Sequence, residues 1–415
     1  MSKLEWSSRL QFLVVTTCAL VCWNYWLPTF LVTFCPSSAT YYGYQSADFN
    51  IFYTAGSNWL MHTNPYLSTY PGLYVYPPAL LPIYGAFALF NPYSAALLWM
   101  ATYFAVFAAA SFLLAFTLQD ERRTLFVSIL PLLFFTSFPL LIMMELGQSD
   151  LLVASLSILS LALLRLKRTY LSPLLLSIAA LMKGAPVFLL IYFVIYRRDF
   201  RFLVRFLALT LLMVGLSVLV MPPSWYSYFL TQVVPTLSAA SLEPMNQSIL
   251  RYVSLAGLND SWLVSVAGAG LFGIFSFMVG RRLSTFHGDP LRANAIFLLN
   301  VLVMLLLGPR SWPATYVWVI LPLALFLSTL LAENVKVRYL AFVGLAVILL
   351  SSTLVQFFLV QAVSQINHMH LVEFPLLILG NLVMVTSLIL LLVRFDVIKS
   401  YEENHEHAGT VHQAK

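Results

Sequence analysis

Few residues in this chain could carry chemistry, because only 9% of it is charged. Asp48, in the stretch Ser46-Ala47-Asp48-Phe49-Asn50-Ile51-Phe52-Tyr53, is the only acidic residue between Glu5 and Asp120. A lone carboxylate in so apolar a setting is costly unless it faces water, a partner or a substrate. It can serve as a general base that takes a proton from an acceptor hydroxyl without a metal, or it can cap the helix that follows it. Lys183, beside Gly184 in an apolar stretch, needs an anion for the same reason, and a phosphate is one candidate. Arg251 and Arg310 carry planar forks that suit a phosphate, or they snorkel as anchors at helix ends. Gln148 and Asp150 follow Gly147, where capping of the helix from Leu151 is the structural alternative. His368 and His370, two positions apart, fit surface histidines better than a metal site. Glycine-rich nucleotide loops, Walker patterns and HExxH are missing from the sequence. A soluble nucleotide is therefore not the expected substrate, and neither a cofactor nor a metal is expected.

The elements that must position these groups are membrane helices. The chain is 60% hydrophobic, and its charged fraction compares with about 25% in soluble domains. Its formal charge of +6 invites a nucleic-acid partner. Yet Lys and Arg cluster in short loops between apolar runs, which is the positive-inside pattern, so no nucleic acid is expected. Cys18, Cys22 and Cys35 form neither a disulfide framework nor a metal spacing. Lys3 and Arg9 precede an apolar run from Leu10 to Phe34, read as a retained first helix leaving the cytoplasm. No Lys or Arg then occurs from Gln11 to Gln119, which places the following region outside.

That region is expected to be an external loop resting on the membrane. A short helix runs from Asp48 to His62, and Asn64-Pro65 and Tyr70-Pro71-Gly72 break the chain. Leu73 to Phe90 carries three prolines, which makes it interfacial or re-entrant. Helices follow over Pro92–Leu118, Leu125–Met144 and Leu151–Leu164. Leu171 to Tyr196 lies between two basic clusters, so a pair of short helices meeting outside at Lys183 is predicted. Phe202–Met221 leads to a second external loop, Pro222 to Ser261, before further spans at Trp262–Gly280, Ala293–Leu307, Thr315–Leu331, Tyr339–Val360 and Phe374–Val393. The predicted architecture is an all-α polytopic membrane bundle of about twelve passes, with both termini cytoplasmic. It forms one domain over residues 1–400 with a polar cytoplasmic tail over 401–415. On this topology Asp48, His62, Glu145, Asp150, Lys183, Glu243, Arg251, Arg310, His368, His370 and Glu373 converge from separate loops on the outer face. An external active site needs such convergence, whereas a transporter would place its polar groups at mid-membrane.

The sequence also resembles the bacterial polytopic glycosyltransferases of family 87 in the GT-C class, which include mycobacterial polyprenyl-phosphate-mannose-dependent mannosyltransferases. The landmarks are Asp48-Phe49-x3-Tyr53, His62-Thr63-Asn64-Pro65-Tyr66, Tyr74-Val75-Tyr76-Pro77-Pro78, Gly147-Gln148-Ser149-Asp150, Lys183-x2-Pro186, Asn246-Gln247-Ser248 and Ser311-Trp312. The resemblance implies a GT-C-like bundle and inverting transfer of a hexose, with mannose expected, from a polyprenyl-phosphate sugar. The acceptor is a lipid or glycan on the outer face of a bacterial inner membrane, Asp48 is the catalytic base, and a monomer is expected. It also implies substrate-binding roles for Tyr53, His62, Asn64, Tyr66, Tyr76, Gln148, Lys183, Asn246, Gln247, Arg251, Arg310 and Trp312. One departure is that Ala314 and Thr315 stand where family members tend to carry a histidine after the Ser-Trp pair. The rival readings are a transporter or flippase of a lipid-linked or polar solute, and a polymerase or ligase of lipid-linked glycans. The latter calls for several arginines in a large external loop, where this chain has Arg251 alone.

Overall fold

The computed structural model describes residues 47–68, 73–238, 241–243, 246–257, 267, 270–271, 274, 289–333 and 379–392. The expected spans at 10–34, 262–280 and 339–360 lie wholly or largely outside these residues, as do His368, His370 and Glu373. The described residues form helices and connecting turns with no strand among them, as expected for a polytopic helical membrane protein. Among the described residues, four helical stretches have the length and apolarity to cross a bilayer: Pro92–Phe116, Phe200–Val218, Pro290–Leu307 and Pro313–Ala332.

Helix α1, Ala47–Leu60, fills the region after the first expected span. It ends where His62 turns left-handed at φ 56°. A 3-10 turn over Pro78–Leu80 leads into α2, Leu81–Ala88. The prolines that start these two pieces keep either from becoming a full span. α1 and α2 pack closely at two glycines. A Cβ at Gly56 would lie 2.4 Å from the backbone of Tyr84, and one at Gly85 would lie 2.4 Å from the Trp59 ring. Phe52, Tyr74, Tyr76, Tyr84 and Trp99 fill the space beside that crossing with stacked and edge-on rings. These rings are core aromatics that fix the loop to α3, Pro92–Phe116.

The single helix expected over Leu125–Met144 is two. α4, Asp120–Phe135, stops at Thr136, and α5, Phe138–Leu146, restarts with Ser137 accepting a hydrogen bond from the Leu140 amide. Pro139 in the first turn of α5 explains the break, since proline suits a helix start and disrupts a helix interior. α6, Asp150–Arg165, is nearly all buried and packs between α3 and α7, Leu171–Met182. The predicted pair of short arms around Lys183 is present. α7 ends at Lys183, which is extended at φ −146° and ψ 131°. The second arm is an irregular helix, 3-10 over Ala185–Leu189 and π over Tyr192–Tyr196.

α8, Phe200–Val218, leads to the short helices α9, Pro223–Tyr228, and α10, Val234–Ser238, with a π-turn between them. α11, Ile249–Leu255, follows in the second loop. α12, Pro290–Leu307, packs on a continuous helical stretch made of a 3-10 segment, Pro313–Val319, and α13, Ile320–Ala332. α14, Leu379–Leu392, lies near α12, where Asn381 Nδ2 donates to the Leu302 carbonyl at 3.0 Å.

Candidate active site

The site forms where α1, the α5–α6 turn and the break at Lys183 meet. Asp48 lies in the first turn of α1, half-buried. A carboxylate here is favoured by the helix dipole. Phe49 beside it is buried, with its ring 6.3 Å from that of Trp99. The Gly147-Gln148-Ser149-Asp150 turn packs directly against this start of α1. Gly147 adopts φ 67°, and a Cβ there would come within 2.7 Å of the Phe49 Cβ. Glycine is needed at this position for both the backbone and the approach. Trp99 Nε1 donates to the Gly147 carbonyl at 3.0 Å and ties the turn to α3.

This packing links residues that are far apart in sequence. Gln148 Nε2 donates to Asp48 Oδ2. Lys183 Nζ donates to Gln148 Oε1 at 3.3 Å and to Asp150 Oδ2 at 2.7 Å. Trp318 Nε1, from the 3-10 segment, donates to Asp150 Oδ1 at 3.2 Å. Asp150 is 1% exposed and Lys183 18% exposed as side chains. The anion that Lys183 requires is thus supplied by the chain itself. Nor does Asp150 serve as a cap: no side chain caps the start of α6, and both carboxylate oxygens of Asp150 accept from other elements. Asp48 feels all of this. Burial raises its pKa above the ordinary aspartate value; the Lys183 cation and the Gln148 hydrogen bond lower it, and the neighbouring Asp150 raises it. A carboxylate in that balance is chemically able to accept a proton from a hydroxyl brought beside it.

The other expected site residues divide into two groups. Tyr53 donates to the Phe90 carbonyl at 2.9 Å, and Tyr66 donates to the Tyr76 carbonyl at 2.6 Å. Asn64 accepts from the Tyr66 amide at 3.0 Å and shapes the turn after α1. In these bonds all three residues build the loop. Tyr76 is edge-on to Phe52 at 5.2 Å, and burial pushes its phenol pKa up, with Asp150 and Asp48 adding to the rise. His62 is exposed at the end of α1.

The second group surrounds the turn before the 3-10 segment. Asn246 Nδ2 donates to the carbonyls of Ser241 (2.8 Å) and Pro309 (3.0 Å), while its Oδ1 accepts from the amides of Ser248 (3.2 Å) and Ser311 (2.8 Å). The Gln247 amide donates to the Ser311 carbonyl at 2.8 Å. Arg251, 7% exposed, donates through Nε to the Leu242 carbonyl at 3.3 Å, with its guanidinium 5.3 Å from the Tyr252 ring. Arg310 Nη2 donates to the Thr236 carbonyl at 2.8 Å, and its buried Nε has no hydrogen-bond partner among the described residues. Burial lowers the Arg310 pKa, while Glu243 opposes that shift. Trp312 is half-buried between Ser311 and the 3-10 segment. This group joins the first through the chain, since Ser311 is clasped at one end and Trp318 reaches Asp150 at the other.

Sequence reasoning passed over Trp318 and Trp99, for neither stands out among the nine tryptophans. Asp150 as the partner of Lys183 had a signal: two lone opposite charges at the same expected membrane face.

The sequence profile of glycosyltransferase family 87 matches residues 74–309, more than half of the chain. No curated protein matches the chain. The chain belongs to glycosyltransferase family 87, and with its apolar spanning helices it is a membrane glycosyltransferase.

Proposed function

We propose that this family 87 enzyme transfers a hexose, with mannose the first candidate, from a polyprenyl-phosphate sugar to a hydroxyl of a lipid or glycan acceptor. The reaction takes place on the outer face of a bacterial inner membrane and inverts the anomeric centre. The observation that carries the reading is the grip on Asp48: a half-buried carboxylate, raised in pKa by burial, held by Gln148 and near Lys183. In this reaction the acceptor oxygen attacks the anomeric carbon as Asp48 takes its proton. The bond from that carbon to the phosphate oxygen breaks, and polyprenyl phosphate leaves with the electron pair. Arg310, whose buried Nε has no hydrogen-bond partner among the described residues, and Arg251 stabilise the charge on the leaving phosphate. Lys183 acts from behind by fixing Gln148 and keeping Asp48 ionised. The basic-free run from Gln11 to Gln119 supports the outer-face orientation.

Incubating the purified protein with radiolabelled polyprenyl-phosphate hexoses and a membrane lipid extract tests this. Labelled product is expected from at least one donor, and none when Asp48→Asn replaces the wild type. Full activity in Asp48→Asn would remove the carboxylate from the mechanism. Activity with a nucleotide sugar and with no lipid-linked donor would replace the donor class.

A further inference from the structure

A second polar site lies at the opposite end of the bundle from Asp48. Helix α6 starts at Asp150, in the active-site network, and ends at Arg165, so these residues are about 22 Å apart along its axis. Around Arg165 is a cavity of about 560 Å³ between the ends of α3, α4, α6, α12, α13 and the π-turn at Tyr192–Tyr196. That volume suits a small ligand or headgroup. Its walls include Leu161, Leu164, Tyr192 and Tyr196, and into this apolar lining come three guanidinium groups, from Arg122, Arg165 and Arg197, against the single carboxylate of Asp289.

The charges around the cavity do not cancel. Asp289 is already paired with Arg292 at 3.3 Å, and Arg122 with Glu333 at 3.1 Å. Arg165 and Arg197 have no carboxylate partner among the described residues. Arg165 is nevertheless held in place, since Nη2 donates to Asn294 Oδ1 at 2.7 Å and Nη1 to Thr117 Oγ1 at 3.5 Å. Asn294 is itself fixed by donating to Thr329 Oγ1 at 2.8 Å. Neutral partners orient the guanidinium without neutralising it, so its fork is prepared for an anion that the chain does not provide. Two surplus cations in a pocket at helix ends form the kind of basic recess that takes anionic headgroups.

We propose that this cavity binds the phosphate group of an anionic lipid, with Arg165 as the half-buried fork and Arg197 as the outer cation. The site is separate from the sugar-transfer chemistry and does not depend on it.

Native mass spectrometry on the full chain, extracted from nanodiscs of phosphatidylcholine doped with phosphatidylglycerol, tests the proposal. The wild type is expected to retain phosphatidylglycerol over phosphatidylcholine. Arg165→Gln and Arg197→Gln are expected to weaken that retention, roughly tenfold when combined. Because Arg165 also organises Asn294, Arg165→Gln is checked for folding. Arg197→Gln breaks no ion pair with a carboxylate among the described residues, and carries the test alone if Arg165→Gln does not accumulate. An inorganic phosphate titration then separates the sources. No displacement of the lipid assigns the site to a headgroup, whereas displacement with persistent phosphate binding supports a phosphate site filled from water. Equal retention of the two lipids by the wild type, or unchanged phosphatidylglycerol retention in both variants, overturns the proposal.

Discussion

The relay from Asp48 through Gln148 and Lys183 to Asp150, and the clasp around Asn246 and Ser311, are both polar inclusions in an apolar bundle, yet they are constructed differently. In the relay, side chains bond to side chains, two carboxylates surround one cation, and the outermost member is half-exposed. In the clasp, one neutral amide bonds four backbone groups, and Asn246, Ser248 and Ser311 are buried. The first arrangement leaves a charge free to change protonation. The second satisfies backbone groups that would otherwise be orphaned where two turns meet. On the proposed function, two motifs of similar appearance in sequence serve chemistry in one case and architecture in the other.

Substitutions at four positions break or sharpen that contrast. Asp48→Asn should lower sugar transfer by about 10³-fold, the scale of a lost general base, with the thermal midpoint in detergent unchanged. Lys183→Gln strands Asp150 in the core and should cost about 3–5 kcal/mol of stability. Its pH dependence is the finer readout. A base works deprotonated, so the rate falls as pH drops through the pKa of Asp48, and burial sets that acid limb above the ordinary aspartate range. Lys183 lowers the Asp48 pKa, so its removal should move the limb to higher pH, while Lys183→Arg should hold it in place. An unmoved limb in Lys183→Gln would separate Lys183 from the base.

Asn246→Ala should cost about 2–4 kcal/mol, since buried backbone groups lose their partner. Turnover per folded molecule, measured after normalising to the folded fraction, should survive. Lost turnover at unchanged stability would move the clasp into the active site. The smallest effect is expected at His62, which is exposed with φ 56°. His62→Asn tolerates the left-handed backbone and should alter the rate by less than about twofold. A larger loss in the transfer assay would give His62 a role at the substrate.

Much of the organisation was legible in the sequence because the bilayer imposes coarse rules. Apolar runs bounded by basic clusters located α3, α6 and α12 within a few residues. The conflict between two flanking basic clusters and a central lysine correctly required a break at Lys183. The Leu125–Met144 stretch was misread because hydropathy does not register a capping serine followed by Pro139. Asp48 was conspicuous because a charge in apolar surroundings requires a reason. Tyr53 and Asn64, expected as substrate-binding residues, also bond backbone groups of the loop, and residue type alone does not announce those bonds.

The sequence by itself determined that the chain lies in a membrane as helices and that a few isolated ionisable residues had to be accounted for. Burial costs are properties of residue types, and so can be read one position at a time. Only the tertiary structure decided which charges meet. Lys183 pairs with Asp150, Gln148 turns toward Asp48, and Trp318 closes the far side. Those pairings depend on a glycine turn seated on α1 and on where α7 stops. The break at Lys183 is legible locally, but its seating against the glycine turn is set by packing between distant segments.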